Sequence, residues 1–215
     1  MPTRLDKAED PRVTRSRALI LEAASETFLE LGYDGASVDD VAARAGVAKR
    51  TVYNIYRDKE ALFRATIARS IAIAEEFAAV LAHSTTGLRD VEKDVPALAR
   101  RLAQDVLLSR VLPLRRLLIR ESGRFDDLAD EYRRRAPDMV LRALAASFAD
   151  LHDRGLLVVP DPEVAAEHFA FLVMGAELDR GMFGTTPPRA DEVRRRADAG
   201  ADVFLRAYQR RGTDA

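Results

Sequence analysis

Val38-Asp39-Asp40-Val41-Ala42-Ala43-Arg44-Ala45-Gly46-Val47-Ala48-Lys49-Arg50-Thr51-Val52-Tyr53-Asn54-Ile55 is the stretch that decides the fold. Two short helices that cross steeply over a tight turn need a small residue where they touch. They also need a glycine where the turn takes positive φ, and apolar side chains to fill the angle between them. Counted from Val38, the fourth residue is Val41, the fifth is the small Ala42 and the eighth is Ala45. The ninth is Gly46, the tenth Val47, the fifteenth Val52 and the eighteenth Ile55. Each constrained position holds a suitable residue, and the joint pattern spells a helix-turn-helix. The plainer alternative is an ordinary helical hairpin with a solvated polar face.

The flanks fit the same reading. Ser37 caps the first of these helices, and Asp40, three residues on, completes an approximate capping box. Val38, Val41, Ala42 and Ala45 turn inward, and Gly46 breaks the helix. The next helix covers about Ala48 to Ile55. Its outer face holds Lys49, Arg50, Thr51, Tyr53 and Asn54, donors suited to phosphates and base edges. From Arg44 to Lys59 there are five basic residues against the single acid Asp58, and Arg12 to Arg17 holds three arginines. The whole chain carries a formal charge of only −1. Contact with phosphates depends on local charge, so the near-neutral total is no objection.

Working outward, the expected fold is all-α. Residues 1–12 read as a flexible arm and 13–58 as a helix-turn-helix domain, with 59–215 as a C-terminal domain for effector binding and dimerisation. The first helix runs from about Thr14 to Leu31, with Ala18, Leu21, Ala24, Phe28 and Leu31 as its apolar face and Gly32 as its C-terminal cap. Asp58 caps a long fourth helix from Lys59 to about His83. Further helices cover about Val91 to Ser109, Val111 to Ser122, Asp126 to Arg154, Asp161 to Arg180 and Ala190 to Arg211. Pro137 must kink or divide the third of these. Leu156 to Val159 alternates like a strand but is very short.

Composition narrows the classes. At 47% hydrophobic and 32% charged, the 215 residues can build a sizeable core. There is no cysteine, which excludes disulfides and thiolate metal sites. The three histidines never fall at helical metal-site spacing, and no nucleophile elbow or phosphate-cradling loop is present. No metal, no cofactor and no enzymatic activity are expected. No apolar run reaches the ~20 residues that span a bilayer, and the expected location is the cytoplasm.

Leu31-Gly32-Tyr33-Asp34-Gly35-Ala36-Ser37, the helix-turn-helix and Lys59-Glu60-Ala61-Leu62-Phe63 together resemble the TetR family of bacterial regulators. The resemblance covers about Arg17 to Phe63. Arg120-Glu121-Ser122-Gly123-Arg124-Phe125 with Leu128, Leu156, Asp161 and Ala165-Ala166 looks like an AefR-like C-terminal domain. The resemblance implies that Lys49, Arg50 and Thr51 face the major groove and that Tyr53 presses on a phosphate. Lys59 would meet a phosphate together with the amides of its helix N-terminus, and Ser37 would do likewise at the second helix. Ala48 stands where the family often has Ser, and Arg50 where it often has Gly.

The resemblance also implies a homodimer on duplex operator DNA, paired through the last two helices. Phe169 to Ala176 is apolar all round and so is buried on both sides, in a monomer core or in a dimer. Gly175 and Ala176 would permit close approach, and Phe204 and Tyr208 lie on the last helix. A small apolar or amphipathic effector is implied, held by a subset of Phe77, Leu118, Glu121, Phe148, Phe171 and Met174. Glu121 shares a helical face with Leu114, Leu117, Leu118 and Phe125. It is either a ligand-facing acid or a structural one, paired with Arg142 or Arg115 or exposed at the helix end. The rival functions are control by a protein partner without a small effector, and an all-helical enzyme or carrier with an incidental hairpin.

Overall fold

The computed structural model describes residues 11–85, 89–184 and 186–209, except for the side chains of 81–85. The expected arm falls outside these up to residue 10, and helix α1 begins at Pro11, inside its last two positions. The described residues are all-α. The helices are α1 (Pro11–Gly35), α2 (Val38–Ala45), α3 (Lys49–Ile55), α4 (Lys59–Thr85), α5 (Val91–Leu107), α6 (Val111–Glu121), α7 (Asp126–Arg135), α8 (Pro137–Asp153), α9 (Pro162–Met174), α10 (Ala176–Phe183) and α11 (Ala190–Tyr208). Contacts divide the chain at Ser70, within α4. The sequence reading places its boundary before α4.

In the N-terminal unit the helix ends are written in local chemistry. Ser37 is extended (φ −124°, ψ 158°), and its hydroxyl accepts from the Asp40 amide while the Asp40 carboxylate accepts from the Ser37 amide. This is the expected capping box. Gly46 is left-handed (φ 66°, ψ 32°) and closes α2. Gly32 has φ 74° and ψ 177° and breaks α1, which resumes as far as Gly35. The buried face of α1 shares only Ala24 and Phe28 with the one expected. Ile20, Ala23, Ala24, Thr27 and Phe28 turn inward, whereas Leu31 is 47% exposed. Thr27 is tolerated there because its hydroxyl donates to the Ala23 carbonyl at 2.8 Å.

In the C-terminal unit α11 packs on α5 and α9, and α8 packs on α9. Phe148, Phe169 and Phe204 are fully buried and meet at ring-centroid distances of 4.8–5.3 Å. Burying such a ring contributes on the order of 2–3 kcal/mol, so this trio anchors the core. Pro137 opens α8 as its first residue, and Ala136 (φ −113°, ψ −84°) divides the expected long helix. The expected helix from Asp161 to Arg180 is also two helices. Gly175 takes φ 54° and ψ −147°, a region that side chains with a Cβ rarely enter, and it separates α9 from α10. Leu157 forms an isolated bridge with Gln209, which uses the one strand-like stretch of the sequence. No helix among the described residues is long and apolar enough to cross a membrane.

Candidate nucleic-acid interface

The interface is built on α2, the turn at Gly46 and α3. Val41 and Val52 are fully buried between these helices, and Ala42 is 5% exposed. With Val52 inside, Arg50, Tyr53 and Asn54 on the same helix turn are exposed, and Thr51 is half-buried. Arg50 and Asn54 make no side-chain hydrogen bond or ion pair among the described residues, so their donors are uncommitted. Ala48 is extended (φ −66°, ψ 141°) and offers no side-chain cap, while its carbonyl accepts from the Thr51 amide at 2.8 Å.

Lys49 is not free. Its ammonium lies 2.6 Å from Asp39 Oδ1 and 2.9 Å from Oδ2, and 6.0 Å from the Tyr53 ring centroid. The hydrogen bond to Asp39 holds Lys49 above the ordinary lysine pKa. Lys59 donates to the Asp34 carbonyl at 3.2 Å and stands 4.5 Å from the centroid of Tyr33. Tyr33 in turn packs on Phe63 and Phe28, at 5.1 and 6.1 Å between centroids. A cation over a ring face is attracted by the ring quadrupole, so the aromatic cluster sets the position of Lys59.

Asp58 caps α4, accepting from the Ala61 amide at 2.8 Å. That bond, then the Arg57 guanidinium, keeps the Asp58 carboxyl below its ordinary pKa. The Arg57 side chain is 91% exposed beside it. Arg44 ties α2 to α1 through Glu30 at 2.5 Å and Glu26 at 3.9 Å. Ser37 is exposed, but its hydroxyl gives its proton to Asp40 Oδ2 at 2.6 Å.

Sequence reasoning missed Asp39 and Tyr33 as members of this surface, and counted Arg57 only within the basic run from Arg44 to Lys59. Asp39 and Lys49 stand ten residues apart, and only the helix-turn-helix turn brings them together.

Of the six residues expected to line an effector cavity, three come together, but in the core. Phe148 and Met174 belong to the core, and Phe77 packs against its edge. Leu118 is buried on α6, while Phe171 is 59% exposed on α9 and cannot line an interior cavity. The side chain of Glu121 is 11% exposed and pairs with its neighbour Arg120 at 3.2 Å, not with Arg142 or Arg115. Arg142 instead donates to the Arg134 carbonyl. Of the residues expected at a dimer interface, Gly175 and Ala176 are exposed. Phe204 is not available, because it is fully buried within its own chain. Tyr208 is half-buried, stacked on Phe204 at 4.6 Å and hydrogen-bonded to His168 Nδ1 at 2.7 Å.

A helix-turn-helix with an exposed, donor-rich second helix, followed by a large helical unit, defines a DNA-binding transcriptional regulator. A model described as bacterial regulatory proteins of the tetR family matches residues 20–66, and one described as the AefR-like transcriptional repressor C-terminal domain matches residues 94–210. The crystal structure of a TetR-family regulator from Mesorhizobium loti superposes with a TM-score of 0.84 at 30% identity, over 94% of this chain and all of that one. The chain belongs to the TetR family.

The flavonoid-responsive regulator FrrA is similar at 27% identity and a TM-score of 0.63, over 93% of this chain and all of that one. The transcriptional activator FasR of Mycolicibacterium smegmatis is 41% identical over 61 residues, which are 28% of this chain and 27% of FasR. The regulator YhgD of Bacillus subtilis is 45% identical over 47 residues, 22% of this chain and 25% of YhgD. The matches to these curated relatives thus span about a quarter of their length. Family and relatives are regulators of transcription rather than enzymes.

Proposed function

We propose that the protein is a homodimeric repressor whose two α3 helices read the half-sites of a palindromic operator, and that a small ligand in the C-terminal unit releases it. Residues 13–58 do the reading, and 59–215 pair the chains and take the ligand. The observation that carries the reading is the face of α3 on which Arg50 and Asn54 project uncommitted, opposite the buried Val52. Arg50, Thr51 and Asn54 contact base edges, each good bidentate contact discriminating by about 1–3 kcal/mol. Lys49, Tyr53 and Lys59 meet phosphates, and Ser37 brings the amides at the start of α2 to another.

Pairing is supported by apolar side chains left exposed on the late helices: Phe171 and Leu172 on α9 and Val203 on α11. Repression is supported by the description of the matched C-terminal model, although FasR is named an activator. Response to a small molecule is supported by the likeness to FrrA.

In vitro selection of bound duplexes tests the proposal. It predicts inverted repeats whose half-sites are spaced to successive major grooves. Asymmetric sites, or no enrichment at all, would contradict it.

A further inference from the structure

We infer that the C-terminal unit carries a cationic cleft, between α5 and α11, that binds a small polyanion. Ala97, Arg100, Arg101 and Gln104 fall on one face of α5, and Arg194 of α11 completes the lining. The cleft is open to solvent and measures about 490 Å³, within the range of roughly 300–1,000 Å³ usual for small-molecule sites. No acid lines it. Arg100 is paired with Asp198 at 2.5 Å and Arg101 with Asp105 at 3.7 Å. Arg194 has no ion pair or hydrogen bond among the described residues, and neither does the Gln104 side chain. The lining therefore offers one wholly uncompensated guanidinium and two that exposed carboxylates share only partly. Guanidinium forks take carboxylates and phosphates in pairs of parallel hydrogen bonds, so the fitting ligand bears two or three acidic groups.

Phe77 positions this site. The Arg101 guanidinium lies over its ring, 5.5 Å from the centroid. Stacking uses the face of the guanidinium and leaves its in-plane N–H groups to a ligand. Phe77 also stands on α4, the helix that begins at Lys59. An anion that draws Arg101 toward Arg194 changes what holds Phe77, and so biases α4. This last step rests on the proposed DNA-binding function; the cleft itself does not. The effector class changes accordingly, from apolar to anionic.

Calorimetry on the full chain at low ionic strength tests the cleft, with citrate and inorganic pyrophosphate as probes and glycerol as the uncharged control. The expected result is one anion per chain with a Kd below about 1 mM and no heat from glycerol. Arg194→Ala and Arg101→Ala should each weaken binding by about tenfold or more while melting unchanged without ligand. Arg195→Ala, beside Glu192 and outside the lining, should bind as the parent does. Absence of heat from both anions, or equal binding by Arg194→Ala, overturns the proposal. Operator titrations with and without citrate at constant ionic strength test the link to α4. A loss of affinity in the parent but not in Arg194→Ala supports it. Citrate binding with unchanged operator affinity overturns the link and leaves the cleft. A chain that binds citrate but no duplex contradicts the DNA-binding reading alone.

Discussion

Lys49 on α3 is held by Asp39 on α2, with its ammonium 2.6 Å from the carboxylate and both side chains more than half exposed. An anion of α2 thus stands beside the first cation of α3. Such exposed pairs contribute little to stability, so a phosphate displaces the carboxylate readily. On the proposed function, the pair lowers the charge that α3 would show to non-specific DNA.

Asp39→Asn should therefore bind every duplex more tightly. The slope of log affinity against log salt should steepen by about one. Discrimination between operator and random sequence should fall. Fluorescence anisotropy at several salt concentrations checks this, and isotherms that overlay the parent's would sink the idea.

Lys59→Ala should weaken binding to all sequences and make the salt slope shallower by about one. Tyr33→Leu removes the ring under Lys59 and should weaken binding less, since the charge remains. Equal losses for operator and random duplex mark a phosphate contact. A loss confined to the operator would assign Lys59 to base reading instead.

Much of the reading head was legible because local chemistry fixes it. Ser37, Asp40 and Gly46 set the ends of α2 through hydrogen bonds within a few residues, and Val52 is buried by simple periodicity. The break at Gly175 was not legible, since a glycine in an apolar helical run also serves close packing. Phe171 was misplaced for a related reason, because on the all-apolar stretch from Phe169 to Ala176 periodicity does not say which face meets the chain's own core. Phe204 lies on the amphipathic α11 and shares its buried face with Val193, Ala197 and Ala201; the family's pairing through its last helices, not periodicity, set it at the dimer interface. Lys49 with Asp39 and Arg101 with Phe77 depend on helix crossings that no spacing reports.

Ala48→Ser should supply the missing cap of α3 and raise stability by about 1 kcal/mol. Urea unfolding followed by circular dichroism reads this directly. A serine that leaves the midpoint unchanged would show that the start of α3 gains nothing from a side-chain cap.

Phe171→Asp and Val203→Asp should yield folded monomers, because both side chains are exposed on the single chain. Phe204→Asp should instead lose the fold, since it places a carboxylate in the aromatic core. Light scattering with circular dichroism separates the outcomes. Dimers that survive both surface substitutions would move the pairing face elsewhere.

Acid should loosen the start of α4. The Asp58 carboxyl is held below its ordinary value by the Ala61 amide and Arg57. Its contribution is therefore complete above about pH 3.8, the ordinary aspartate value, and is lost as pH falls through the lower folded value. Asp58→Asn keeps a capping oxygen without the titration, so its stability should fall less steeply with acid than the parent's. Parallel curves for the two proteins would contradict the assignment.

The most direct test of the central claim is a binding isotherm of the full chain on its selected duplex, beside Arg50→Ala. The parent should bind as two chains per duplex and prefer its site over random sequence by about a thousandfold or more. Arg50→Ala, folded and dimeric, should lose much of that preference. A parent that binds selected and random duplexes alike, or an Arg50→Ala variant with the parent's preference, would contradict the claim that α3 reads sequence.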